Sequence, residues 1–267
     1  MLIALGLLAA ALPVLDAIGQ ERKSLPTKDK DNPLTELISG YYFTALRPRA
    51  LQDDDFDNPG FAWVMQGEKL WSQSEGAAQK SCASCHGDAA QSMRAAGAAY
   101  PKFQEGTKSV LNLEQRINMC RQDHMQASPW TYESDGLLSM TAYVKLQSRG
   151  MPVDVQTDGP ASEAFQLGRT LYNTRTGQLG MSCAHCHNDH YGDNLRAEVL
   201  SQGHSNGYPA FAVTRQKFTS LHERFRACYR ERRAEPYEAG SAEFVALELY
   251  LAWRGKGLPV ETPAVRR

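Results

Sequence analysis

The chain has 267 residues, enough for two domains of ordinary size, and its 29 Lys+Arg nearly balance 30 Asp+Glu for a formal net charge of −1. That balance excludes the global basic field of a nucleic-acid binder, so clusters of charge need a local explanation. Mean hydropathy is −0.47, and the one membrane-like stretch is MLIALGLLAAALPVL at the start.

This stretch is too short to span a bilayer and has the length of a signal-peptide apolar core, although no Lys or Arg precedes it. A signal peptide over 1–17 is expected, with cleavage after Ala11 or Ala17, and with it export; the competing reading is a buried N-terminal helix. Beyond it, the aspartates of LQDDDFDNPG (51–60) read as turn and cap residues. Phe61, Val64, Met65 and Trp71 then fall on helical spacing.

Next comes Cys82-Ala-Ser-Cys85-His86. C-x-x-C-H is the attachment signature of c-type haem: two thiols add across the vinyl groups and the adjacent histidine lies under the iron as proximal ligand. A zinc half-site or a redox pair are the alternatives for a single C-x-x-C. A solitary Cys120 follows in RINMC (116–120), and Leu137, Met140, Thr141 and Val144 mark another helix. Gly150 is read as the C′ residue of that helix, with a proline shortly after. The seam is placed in GMPVDVQTDGP (150–160), separating an N-terminal extension and first domain (18–154) from a second domain (155–267).

The second half repeats the first. GEKLW (67–71) recurs as GRTLY (168–172), each fifteen residues before its first motif cysteine, and Phe165, Gly168, Leu171 and Tyr172 keep helical spacing. Cys183-Ala-His-Cys186-His187 is a second attachment motif; RINMC recurs as RFRAC (224–228), and AYVKLQSRGMPV (142–153) as LYLAWRGKGLPV (249–260). Phe244, Leu247 and Leu251 give the closing amphipathic helix, with Gly255 as its C′ residue. No sustained period-2 pattern appears, and stretches such as SQGHSNGYPA read as loops wrapped over haem. The expected fold is mainly α: two tandem cytochrome c-like domains with an N-terminal extension, binding two covalent c-type haems. Six cysteines in an exported chain would otherwise suggest three disulfides, but four of them fall in the two motifs.

The distal ligand of each iron sets its chemistry. Downstream of His187 there is no methionine; the candidates are His190, His204, His222, Cys228 and a few lysines. The first half offers Met93, Met119, Met125 and Met140, yet Cys120 stands where Cys228 stands in the repeat, which favours thiolate ligation in both halves. A Cys120–Cys228 disulfide or free buried thiols are the alternatives, the first requiring Cα atoms within roughly 7 Å. Thiolate stabilises ferric iron and lowers potentials, which points toward chemistry rather than simple electron carriage. Around Cys228 lie Arg224, Arg226, Arg230, Arg232 and Arg233. Arg224 is four residues before Cys228, on one face of a helix, where a guanidinium could hold an oxyanion or pair with a haem propionate. Arg116 stands four before Cys120, so Arg-x-x-x-Cys alone does not single out one site, and a charge-rich helix face is often only solvated. His185 reads as incidental, and His190 as a possible propionate contact or competing ligand.

These pieces resemble the SoxA family, the haem-bearing subunit of SoxAX cytochromes: SGYYF (39–43), ALQDDDFDNPGFAWVMQGEKLW (50–71), both C-x-x-C-H motifs, RINMCR (116–121), QGHSNGYP (202–209) and RFRACYR…RAEPY (224–237). The resemblance implies that the C-terminal haem is the active site, with His187 proximal, Cys228 distal and carrying a persulfide, and Arg224 binding substrate. It implies His86 and Cys120 as axial ligands of the first haem, which some members lack. It implies periplasmic oxidation of thiosulfate, joined to a cysteine of the carrier SoxYZ, with a SoxX-like monohaem cytochrome c as partner and a small cytochrome c as acceptor. A non-catalytic dihaem electron carrier and a tetrathionate-forming thiosulfate dehydrogenase are the competing functions.

Overall fold

The computed structural model describes residues 23–267, so the leader expected over 1–17 lies outside the described residues. The extension opens with a hairpin of β1 (Ser24–Pro26) and β2 (Glu36–Ile38), followed by α1 (Leu46–Asp53). The first half runs α2 (Phe61–Ser72), α3 (Cys82–His86), the short α4 (Ala89–Ser92) and α5 (Ala96–Ala99), and the hairpin β3 (Lys102–Gln104)–β4 (Ser109–Leu111). It ends with α6 (Leu113–Cys120), a π turn over Arg121–Met125 and α7 (Asp135–Leu146). The second half repeats this order with α8 (Ser162–Asn173), α9 (Cys183–His187), the two-residue strands β5 (Asn194–Leu195) and β6 (Glu198–Val199), then β7 (Ala210–Ala212) and β8 (Lys217–Thr219). It closes with α10 (Leu221–Glu231), α11 (Ala242–Arg254) and β9 (Ala264–Arg266), which adds in parallel to β7.

Glycine explains why GEKLW and GRTLY begin as they do. In each half the first and last long helices cross with their backbones touching. A Cβ on Gly67 would stand 2.2 Å from the Ser139 carbonyl oxygen of α7, and one on Gly168 would stand 2.0 Å from the Ala246 carbonyl oxygen of α11. Only a residue without a side chain permits either crossing.

α11 departs from the sequence expectation. It reads as amphipathic, yet every residue from Phe244 to Arg254 is buried. α8 covers one side: Phe165 meets Tyr250 at a tilt and Trp253 edge-on, and Tyr172 packs tilted against Tyr250. The extension covers another side: Trp253 Nε1 donates to Asp29 Oδ2 at 2.9 Å, and Asn32 Nδ2 donates to the Arg254 carbonyl at 3.0 Å. Ile38 N likewise donates to Gln202 Oε1, and Asn58 Nδ2 to the Pro263 carbonyl. The extension therefore packs on the second half, far away in sequence, and a helix surrounded in this way has no polar face. The helix stops differ slightly as well. Gly255 follows α11 directly with φ −98°, while the left-handed glycines are Gly150 (φ +80°) and its repeat partner Gly257 (φ +99°).

The strands went unread because two or three residues cannot show alternation. Of the aspartates of 53–57, Asp54 makes a turn contact, its Oδ1 accepting from Phe56 N at 2.9 Å, whereas Asp55 forms a long-range ion pair with Arg149 at 2.6 Å.

The halves meet through a buried polar cluster. Asn112 Nδ2 donates to Glu248 Oε2 at 3.2 Å, His222 Nε2 lies 3.1 Å from the same oxygen, and Tyr132 stacks on His222 with centroids 5.5 Å apart. Glu114 joins them six residues before Cys120, as His222 stands six before Cys228. Burial, then the neighbouring Glu248 charge, pushes the Glu114 carboxyl up to about 7. Burial also works to raise Glu248, but the His222 hydrogen bond and the nearby cations outweigh it and leave that carboxyl below its usual value. The folded protein thus holds the Glu114 proton more tightly than the unfolded chain. On that account stability falls as pH rises from 4.5 to about 7 and the proton is lost. Glu114→Gln is expected to remove that decline, becoming more stable than the parent at alkaline pH and little changed near the lower limit, as urea midpoints at the two ends would read.

Candidate active site and haem pockets

In the first half α3 presents Cys82, Cys85 and His86. Ser81 caps it, its hydroxyl accepting from Ser84 N at 3.1 Å while Ser84 Oγ accepts from Ser81 N. α6 arrives opposite and ends on Cys120. Between them lies a cavity of about 280 Å³ bordered by Cys82, Cys85, His86, Arg116 and Cys120, with Trp71, Leu113, Met140 and Val144 as apolar wall. The four residues assigned to the first haem thus share one cavity. Met93 and Met125 border it too, so the alternatives read from the sequence are neighbours of the site and not remote. Burial raises the Cys82 thiol to about 11 and raises Cys120 as well, the Arg116 charge opposing the latter.

In the second half α9 presents Cys183, Cys186 and His187. Here His185 does what Ser84 does in α3: its Nδ1 lies 2.7 Å from Ser182 Oγ and 3.2 Å from Ser182 N, closing the capping box. His185 is therefore a cap residue and not incidental. The His187 ring donates from Nδ1 to the Ser201 carbonyl at 2.7 Å, which leaves Nε2 as the unprotonated nitrogen of the neutral ring. Gly203, at φ +74°, packs flat on that ring, where a Cβ would stand 2.8 Å from its Cγ. Desolvation, assisted by the charges of Arg254, Arg224 and Arg232, lowers His187 to about 4 against the Ser201 bond, so it is neutral at physiological pH. This clamp comes from SQGHSNGYPA (201–210), a segment whose loop character was legible but whose roles were not.

The competing histidines are engaged elsewhere. His190 is exposed and faces Asp193 at 2.9 Å, His204 Nε2 lies 2.9 Å from Gln202 Oε1, and His222 is held by Glu248. All six cysteines are unpaired, so Cys120 and Cys228 form no disulfide. Cys228 stands on α10, close enough to Cys183 and Cys186 to raise both thiols, burial being the larger cause in each.

The arginines around Cys228 sort into two kinds. Arg226 and Arg230 pair with Glu223 at 3.8 and 3.2 Å. Arg232 lies 4.2 Å over the Tyr229 ring and donates to the Met181 carbonyl at 3.2 Å, and Arg233 reaches Gln178. Arg224 has no carboxylate within salt-bridge distance among the described residues, and its guanidinium pKa is raised first of all by Cys228. Tyr208 completes this corner, its hydroxyl raised by burial and subject to the charges of Arg224 and Cys228. Tyr100, Arg116 and Cys120 make the same trio in the first half, each tyrosine preceding a proline and standing twenty residues before its cysteine. Sequence reasoning missed both tyrosines, although the Tyr-Pro pair was there to be aligned.

Among the described residues no group of three or more His, Cys, Asp and Glu side chains could hold a metal ion alone. In the first half His86 and Cys120 border one cavity, a donor pair that suits a metal bringing its own equatorial ligands, as in haem. Also among the described residues, no helix is long and apolar enough to cross a membrane.

The SoxA/TsdA cytochrome c domain model matches residues 66–153 and again 167–260. Similar curated proteins are the L-cysteine S-thiosulfotransferase subunits SoxA of Pseudaminobacter salicylatoxidans, 46% identical over 88% of this chain and 83% of the relative, and of Rhodovulum sulfidophilum, 44% identical over 86% and 80%. The crystal structure of SoxXA from P. pantotrophus superposes with a TM-score of 0.87 at 38% identity, covering 97% of this chain and 99% of that one.

Proposed function

The chain belongs to the SoxA/TsdA cytochrome c family, and from that membership we propose that it is an L-cysteine S-thiosulfotransferase. It joins thiosulfate to a cysteine of a SoxYZ-type carrier in the periplasm. The proposal includes two covalent c-type haems, one on Cys82 and Cys85 with His86 and Cys120 as axial ligands, the other on Cys183 and Cys186 with His187 and Cys228. It also includes a SoxX-like monohaem partner and a small cytochrome c as onward acceptor. When bound, the second haem supplies a one-electron acceptor beside the Cys228 sulfur.

In the net reaction an S–S bond forms between the outer sulfur of thiosulfate and the carrier cysteine sulfur. The S–H bond of the carrier thiol breaks, and one proton and two electrons leave. Cys228, as thiolate or persulfide, is proposed to bond first to the outer sulfur of thiosulfate, the two electrons released passing one at a time to the haem and on to the partner and acceptor cytochromes. The carrier thiolate then attacks that outer sulfur, the bond to Cys228 breaks, and the whole thiosulfate group moves to the carrier as Cys228 is restored. Both entering partners are anions. Arg224 is the group that relieves their repulsion, donating a forked pair of hydrogen bonds to the sulfonate oxygens. Tyr208, with its hydroxyl held protonated, can add a further donor. Ser201 and Gly203 keep the proximal imidazole fixed, and burial together with the neighbouring arginine charges keeps it neutral.

One observation carries this reading: among the described residues Arg224, alone of the arginines around Cys228, makes no side-chain hydrogen bond or ion pair to another protein group, and the Cys228 sulfur is the largest influence on its charge. The test is product analysis with thiosulfate, the haem-loaded protein and the carrier. Thiosulfate adding to the carrier cysteine, with cytochrome reduction that needs the carrier, is expected. Tetrathionate formed equally well without the carrier would overturn it in favour of a thiosulfate dehydrogenase.

A further inference from the structure

The distal corners of the two halves are nearly the same, Tyr-Arg-Cys in each, so what distinguishes the two irons has to lie elsewhere. Arg254, the last residue of α11, is fully buried at 0% exposure. Its Nη1 donates to the Gln202 carbonyl at 2.9 Å; Nη2 donates to Asn188 Oδ1 and lies 3.5 Å from the carbonyl oxygen of His187. The guanidinium lies 4.5 Å over the Tyr172 ring, and its Nε has no partner. Among the described residues no carboxylate pairs with it within 4.0 Å, although a buried cation ordinarily demands one. The repeat puts Gln147 in the corresponding place, and that amide turns back along its own helix to the Tyr143 carbonyl. The second half therefore buries an uncompensated positive charge against the backbone of its proximal histidine, where the first half has a neutral amide.

We propose that Arg254 is a positioning residue that also sets the electron affinity of the C-terminal iron, holding the His187–Asn188 backbone and stabilising the added electron through its buried charge. This inference rests on haem ligation by His187. With a thiolate opposite, the ferric iron and its ligands carry one less negative charge than the ferrous form, so a nearby cation favours reduction. Thiolate alone would hold the potential low. Arg254 offsets this at the iron that has to accept electrons from sulfur, and leaves the other iron unaffected.

Asn188→Asp separates charge from structure, because a carboxylate keeps both acceptor contacts, from Arg254 and from the Tyr172 hydroxyl, while cancelling the positive charge. Redox titration of the haem-loaded protein, followed by visible absorption with the two haems resolved, is the measurement. Asn188→Asp and Arg254→Gln are expected to lower the C-terminal potential by a tenfold or greater shift in the one-electron equilibrium, about 59 mV or more. Arg254→Lys is expected to stay close to the parent, and the N-terminal potential is expected not to move in any variant. An unchanged potential in Asn188→Asp, a fall in Arg254→Lys as deep as in Arg254→Gln, or equal movement of both haems would each overturn the inference. Should Arg254→Gln fail to fold, Asn188→Asp and Arg254→Lys carry the comparison by themselves. A protein without haem at Cys183 and Cys186 shows itself in the starting spectrum and refutes the ligand assignment instead.

Discussion

Cys228→Met is expected to retain both haems and the fold while losing thiosulfate transfer to the carrier by at least about a thousandfold, the scale on which removal of a nucleophile acts. Methionine is the informative replacement. It can still reach a metal through its thioether, so haem content and helix α10 should survive, yet it has no thiolate or persulfide to form the new S–S bond. Ferrous iron should also become easier to form, since a thioether is a weaker donor than a thiolate. A merely electron-carrying protein would then be unimpaired or faster. Cys120→Met is the matched control: it makes the same ligand change in the first half and is expected to leave carrier-dependent transfer largely intact. Comparable turnover in Cys228→Met and the parent protein would end the proposal that sulfur chemistry occurs at this residue.

Much of the architecture was legible because it is repeated. Two C-x-x-C-H motifs at matching distances from Gly67 and Gly168 announce two copies of one unit, and the structure gives the physical reason for the glycines in the crossing of their helices. What was not legible depends on contacts between segments far apart in the chain. Nothing in α11 says that Asp29 and Asn32 will cover it, so its helix read as amphipathic when it is buried all round. His185 read as incidental because its capping role depends on backbone direction at Ser182, which spacing does not encode. The five arginines near Cys228 looked equivalent in one dimension. In three, Glu223 claims two of them and ring or carbonyl contacts claim Arg232. Arg254 went unnoticed altogether, since a basic residue in a helix's last turn is the ordinary partner of the helix dipole and its complete burial leaves no local trace.

Arg224→Gln tests the remaining half of the proposed chemistry, and the duplication supplies its control. Losing a buried charged partner costs about 2–5 kcal/mol, which corresponds to a loss in kcat/KM of roughly thirtyfold to several thousandfold. The loss should fall on thiosulfate binding and on the bond-forming step together, because the same guanidinium meets the dianion on entry and lowers repulsion when the carrier thiolate follows. Arg224→Lys should recover part of the charge effect but not the forked geometry, leaving an intermediate rate. Added salt should slow the parent protein and have less effect on Arg224→Gln, since screening removes what the substitution has already removed. Arg116→Gln changes the repeat-equivalent arginine, beside Cys120, with the same alignment of tyrosine and cysteine around it. If arginine at this position serves chiefly to pair with a haem propionate, the two substitutions should be about equally harmful, each disturbing its own haem. If Arg224 binds the sulfur oxyanion, only its replacement should depress turnover, and the two haem spectra should be unaltered in both variants.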